Sequence, residues 1–203
     1  MDINEFKKNY LSSAQTLEHS ELSAKLSLKF FKELLRFFPE IKAFNNPQDL
    51  TLLKYGAMLH DIGVMFEKNK KNPPKPHHKI GRDLILENKI SGLDEAQNLV
   101  VANIVRYHRK SLPDENQHKC YKMLSKNDRK KTDVFASIVR LIDAFDYNHF
   151  NMVDDFSLDF DRNQRILTID LGVNIMLNIG QGAALSKKKQ FLEKVFDIEV
   201  LFN

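Results

Sequence analysis

Through about residue 150 the apolar positions recur with helical spacing, and beyond that point they alternate. Leu22, Leu26 and Phe30 share one face of a helix expected over Leu17 to Phe37, which Pro39 ends. Asn46-Pro47 opens a second helix, with the proline standing where a missing N–H does no harm. Leu53, Ala57 and His60 fall on its inner face, and Gly63 reads as its C-cap. Glu67 to Pro76 (EKNKKNPPKP), with three prolines and a charge run, is expected to be a loop. A helix follows from about His78 to Lys89, broken by Ser91-Gly92. Another starts from the N-cap Asp94, carries Val101, Ile104 and His108 in line, and ends at Leu112-Pro113. The last long one, Asp128 to Asn148, aligns Ala136, Val139 and Asp143.

From Asp155 the period is two. Phe156, Leu158 and Phe160 alternate, as do Leu167, Ile169 and Leu171, with Asp161 to Gln164 as turn material between them. A β-hairpin is expected, then an amphipathic helix (Leu185, Leu192, Val195, Phe196) and a final strand over Ile198 to Phe202. The fold class is therefore mainly α: a helical domain over residues 1–152 and a small α+β appendage, hairpin–helix–strand, over 153–203.

With 42% hydrophobic residues in 203, the chain has enough apolar side chain to exclude disorder. Its single cysteine, Cys120, cannot form an internal disulfide, and the start, Met1-Asp2-Ile3-Asn4-Glu5, is acidic where a secretion signal is basic. The longest apolar stretch, Ile166 to Leu185, is interrupted by Asp170, Asn174, Asn178 and Gln181 and does not read as a membrane span. The expectation is a cytoplasmic protein without membrane partners. The net charge of +4 matters less than where it lies. One basic run holds Lys68, Lys70, Lys71, Lys75, Lys79 and Arg82; another includes Arg106, Arg109, Lys110, Lys119 and Lys122. Solvated faces account for either run, and so does attraction of a phosphate-rich ligand.

Four ionisable residues interrupt apolar helix faces. His19 precedes Leu22 and Leu26 by three and seven residues, and His60 follows Leu53 and Ala57 by seven and four. His108 stands in the same relation to Val101 and Ile104, and Asp143 to Ala136 and Val139, so all four are expected to point inward. A buried carboxylate without a partner is costly. A shared divalent cation satisfies such a group, and so does a buried His–Asp hydrogen-bond network. His60 and Asp61 point about 100° apart on a helix and can share a partner only at its end.

The order His19 … His60-Asp61 … Asp143 on successive helices resembles the HD superfamily of metal-dependent phosphohydrolases. Three segments, AMLHDIG (residues 57–63), IVRYHRKSLP (104–113) and RLIDAFD (140–146), together with His77-His78-Lys79, resemble the C-terminal HD domain of the exopolyphosphatase/guanosine pentaphosphate phosphatase (Ppx/GppA) family. The hairpin–helix–strand tail is similar to the segment C-terminal to the HD domain in that family. Ppx/GppA proteins carry their phosphatase site in N-terminal actin-like domains, which nothing before Met1 matches, so the chain is expected to be a free-standing HD protein or a fragment. The acidic residues expected after the His-Asp pair of (p)ppGpp hydrolases are replaced by Ile62, Gly63, Val64 and Met65. The Gly-Tyr-Pro signature of cyclic-di-GMP hydrolases is also missing.

The resemblance implies that His19, His60, Asp61 and Asp143 hold a divalent metal, and that His77 and His108 bind a second. His60 and Asp61 then carry the catalysis. Lys79, Arg109 and Lys110 are the candidates for substrate phosphates, with ordinary surface cations as the alternative. Mixed imidazole and carboxylate ligands suit Mn, Fe, Ni or Zn better than Mg. Two functions stay open. One is a phosphohydrolase acting on a nucleotide, polyphosphate or other phosphorylated substrate; the other is a non-catalytic accessory domain that binds polyphosphate or a nucleotide alarmone. Asp146 and His149 serve either scheme or stabilise the helix end. Nucleic acid ranks behind both, because the basic runs lack interleaved aromatics. A homodimer is left open.

Overall fold

The computed structural model describes residues 1–11, 13–67, 75–146, 153–172 and 179–203. A short helix outside the expected set opens the chain: α1 (Ile3–Tyr10) carries Ile3, Phe6 and Tyr10 at helical spacing and buries Phe6. The Asp2 carboxylate caps it, accepting from the Asn4 and Glu5 N–H groups while Glu5 accepts from the Asp2 N–H. Ser13 caps α2 (Ala14–Leu34), and Asn46 caps α3 (Pro47–Met58) by accepting from the Asp49 N–H. Helix α2 stops at Leu34, three residues before the expected Phe37, and Pro39–Phe44 forms a 3₁₀ segment before α3. The short α4 (Val64–Glu67) precedes α5 (His77–Asn88). Asp94 and Gln97 make a capping box for α6 (Glu95–Tyr107). The four-residue α7 (Lys119–Lys122) leads to α8 (Lys126–Phe145), capped by Ser125.

Helices α2, α3, α6 and α8 pack around one core, with α5 against α6. Phe30, Phe31, Leu53, Ile104 and Phe135 are all fully buried there, each contributing about 1.5–3 kcal/mol by leaving water. Among the described residues no helix is long and apolar enough to cross a membrane.

Gly63 plays a different part from the C-cap expected of it. Its backbone is not left-handed, and α3 already stops at Met58. A Cβ on Gly63 would lie 2.1 Å from the carbonyl oxygen of His77 and 2.9 Å from the Gly81 nitrogen. The glycine thus lets the turn after α3 lie directly on the first turn of α5.

The appendage forms as its alternation predicts. Strands β1 (Ser157–Asp161) and β2 (Ile166–Asp170) pair antiparallel, Ser157 opposite Asp170. The Asp161 carboxylate holds the turn by accepting from the Asn163 and Gln164 N–H groups. Strand β3 (Glu199–Phe202) lies parallel beside β2, completing a sheet of order β1-β2-β3. A parallel neighbour needs a crossover, and α9 (Ile179–Phe196) supplies it while packing along α8. Phe38 meets Phe160 and Phe196, tying the sheet to the end of α2. The molecule is a mainly helical domain with a small C-terminal sheet. The expected helix end at Asn148, His149, and Lys68, Lys70 and Lys71 of the proline-rich segment lie outside the described residues.

Candidate metal centre

Five chain segments converge at one place. His19 comes from α2, His60 and Asp61 from the turn after α3, and His77 from the first position of α5. His108 caps the C-terminus of α6, and Asp143 stands in the last turn of α8. His60 and His108 therefore lie at helix ends rather than within helices. Because α3 ends at Met58, His60 and Asp61 escape the helical offset and both reach the centre. His77, just after the proline-rich segment, is only 4% exposed.

The ligand atoms form two trios. Those of His19, His60 and Asp143 lie within 4.8 Å of one another, as do those of Asp61, His77 and His108. Asp143 Oδ1 is 3.7 Å from the Nε2 atoms of both His19 and His60. Asp61 spans the two trios: Oδ1 is 3.3 Å from His77 Nε2 and 3.5 Å from His108 Nε2, while Oδ2 is 3.6 Å from His60 Nε2.

The other ring nitrogens explain why the Nε2 atoms face inward. His60 Nδ1 donates to the Ala57 carbonyl and His108 Nδ1 to the Val105 carbonyl, each at 2.7 Å. Both acceptors are last-turn carbonyls that lack a partner within their helix. His19 Nδ1 donates to Asp146 Oδ2 at 2.8 Å. With Nδ1 so engaged, Nε2 of each ring offers a lone pair to the centre. The rings then meet nitrogen to nitrogen, His19 Nε2 3.1 Å from His60 Nε2 and His77 Nε2 3.3 Å from His108 Nε2. Two such nitrogens attract only with a cation between them, a proton or a metal.

Electrostatics divide the histidines. Burial works against charge on His19, but hydrogen bonds to Asp143 and Asp146 outweigh it and raise the ring to about 9. His108 is held well below its ordinary value by burial and by His60, against the pull of Asp61 and Asp143. The neighbouring His78 is lowered to about 3, first by burial and then by Arg106. Burial pushes Asp143 upward, yet Lys188, His19 and His60 keep it well below the carboxylate range. Asp61 is likewise held low by His60, His108 and His77 against the effect of burial. Ionised carboxylates among inward lone pairs are a donor set that fits a divalent cation of borderline softness. The proton on His19 is the one such an ion displaces.

A cavity of about 340 Å³ opens beside the centre, with Arg109, Lys110, Arg140, Lys187 and Lys188 in its walls. Arg109 Nη1 lies 3.1 Å from His77 Nε2, and Lys188 is ion-paired with Asp143 Oδ2. Arg140 donates twice to the Lys110 carbonyl, at 3.0 and 3.1 Å, and so holds Lys110 at its positive φ of 64°. Two of the three expected phosphate-binding residues, Arg109 and Lys110, are thus together. Lys79 is not with them; it lines a separate cavity with Arg82 and Arg106.

Lys188 and Arg140 were not expected here, although the sequence holds a signal for each. Lys188 is three residues after Leu185 and four before Leu192, on the apolar stripe of its own helix. Arg140 is the one charge in the run Ile138 to Ile142. Long-stemmed cations reach a pocket from such positions while burying their methylenes.

A helical bundle that gathers His, His-Asp and Asp from successive helices defines a class of metal-binding hydrolase domain. The HD domain family model matches residues 16–148, and the chain belongs to the HD domain family, a superfamily of metal-dependent phosphohydrolases whose members bind divalent metals. A comparison with curated proteins found no match.

Proposed function

We propose that this chain is a metal-dependent phosphohydrolase that binds two divalent ions, with Asp61 shared between them. One observation carries the reading: a single carboxylate faces two His-rich trios at the edge of a cavity walled by cations. His19, His60 and Asp143 hold one ion, and Asp61, His77 and His108 the other. Divalent ions so held would supply Lewis acidity, lowering the pKa of bound water toward neutrality.

The residues of the chain do the rest. Asp146 and the carbonyls of Ala57 and Val105 fix three imidazoles in the ligating tautomer. Arg109, Lys110 and Lys188 take the phosphoryl oxygens as charge-assisted donors. Arg140 holds the backbone that carries Arg109 and Lys110. Burial of the histidines excludes bulk water, which strengthens each of these charge interactions. The resemblance to the C-terminal part of Ppx/GppA proteins favours polyphosphate or a nucleotide as the phosphorylated substrate.

The pairing of Lys188 with Asp143 favours a second reading, an accessory domain that binds such anions without turnover, since it gives the carboxylate a cation from the chain itself. The two separate in a phosphatase assay with added Mn, Fe, Ni, Zn or Mg over polyphosphate and nucleotides. Metal-dependent release of phosphate that disappears in His60→Ala and Asp61→Ala supports the enzyme. Anion binding with no turnover under any metal supports the accessory domain, and turnover surviving both substitutions places the reaction elsewhere.

A further inference from the structure

Arg106 is 4% exposed, and among the described residues no carboxylate bonds to it. Its Nη2 reaches only the Ser111 hydroxyl, at 3.4 Å, and its Nη1 has no partner. A guanidinium cannot shed its charge, and this one is compensated, among the described residues, only by that long hydroxyl contact and by the face of the Tyr107 ring, 5.3 Å away. It lines a cavity of about 470 Å³ whose other cations are Lys79, Arg82 and Lys119. Among the described residues no acid lines that cavity, and the neighbouring Asp83 is already engaged by Arg82 and Lys75. Since successive helical residues turn by about 100°, Arg106 projects roughly opposite to His108, away from the metal centre.

A second buried atom narrows the ligand. Asn103, also in the cavity wall, is fully buried and donates its amide N–H groups to the Leu99 and Cys120 carbonyls, at 2.8 and 3.3 Å. Those bonds fix which end of the amide is oxygen, and that Oδ1 has no donor. The cavity wall therefore carries two residues with an unpaired polar atom, a cation and an acceptor, just beneath its surface.

From this we infer a second anion site, independent of the metal centre, for a phosphate-bearing ligand that also presents a hydroxyl. Arg106, with Lys119 and Lys79, binds the charged oxygens, and Asn103 Oδ1 accepts a hydrogen bond from the hydroxyl. Hydrogen phosphate is the smallest anion that meets both demands. Sulfate has the same charge at pH 8 and no proton to offer.

The test is calorimetric titration of inorganic phosphate at pH 8 into the full chain as purified, with sulfate as the control. Saturable phosphate binding is expected, about tenfold or more tighter than sulfate. Arg106→Met should weaken it by about 10- to 100-fold and Lys119→Ala by a few-fold, while Lys54→Ala, which removes an exposed lysine on α3 outside both cavities, leaves it unchanged. Lys119 is exposed, so its variant carries the test if Arg106→Met does not fold. Equal binding of sulfate refutes the part given to Asn103. Absence of saturable binding, or binding lost in Arg109→Ala of the other cavity and untouched in Lys119→Ala, overturns the site. Loss of turnover bears on the metal centre alone and leaves this site standing.

Discussion

Arg106 and His108 stand two residues apart at the end of α6 and face opposite electrostatic demands. Around His108, two carboxylates held ionised meet ring nitrogens turned toward one another, a donor set that recruits a cation. Around Arg106, cations line a cavity free of acids among the described residues, and what they lack is negative charge. Burial takes hydration from both groups; the sign of the neighbours decides what each recruits. His78 lies between the two regions and responds to the basic one, its ring held neutral by burial and by Arg106.

The largest effect should come from removing the charge that joins the two trios. Asp61→Asn leaves size and packing nearly unchanged but takes a carboxylate from both. Turnover should fall by about a thousandfold or more, with loss of metal from both positions. Elemental analysis beside the rate separates this from loss of a single ion. Gly63→Ala attacks the geometry instead. The new methyl meets the His77 backbone carbonyl, so α5 must move, at about 2–4 kcal/mol in urea unfolding. The sharper readout is whether metal retention falls too, because His77 is carried on the strand of backbone that is pushed away.

Asp146→Asn is smaller and more selective. The amide frees His19 from its fixed tautomer, and metal affinity should drop by about 10- to 100-fold with little change in unfolding. Direct titration of the ion measures it. An unchanged affinity would show that packing alone orients the ring.

The smallest effect concerns an acid given neither remedy. Asp133, also on α8, is pushed up to about 6 by burial, with the Tyr121 hydroxyl as its donor at 2.9 Å. Its folded value lies above the unfolded one, so the folded state binds the proton more tightly. Stability falls as pH rises from about 4 to 6, and the penalty is complete above that. Asp133→Asn should therefore raise stability at pH 8 by up to about 2 kcal/mol and change nothing near pH 3. Thermal unfolding at the two pH values decides it.

Much of the centre was legible from spacing because its residues interrupt strong apolar stripes: His19 on α2 and Asp143 on α8 are cases where periodicity alone points the side chain inward. The position of helix ends was less so. His60 lies beyond α3 and His108 caps α6, since capping geometry, not periodicity, sets where a helix stops. Gly63 shows the same limit, its role resting on an approach by α5 that no local pattern encodes. Lys79 stands beside His77 in the sequence as Arg109 and Lys110 stand beside His108, yet α5 directs it to the Arg106 cavity. Lys188 comes from the appendage, more than forty positions after Asp143, and only tertiary packing of α9 on α8 joins them. The alternating tail, by contrast, formed the expected hairpin and final strand, because period two leaves one buried face and one register.

The central claim is that Asp61 serves two metal positions at once. Elemental analysis of the purified chain, reconstituted with Mn, Fe, Ni or Zn, tests it most directly when wild type and Asp61→Ala are compared. The account predicts two equivalents of divalent ion in the wild type and loss of both in the variant. Retention of the full complement by Asp61→Ala, or a wild type that takes up no metal, contradicts it.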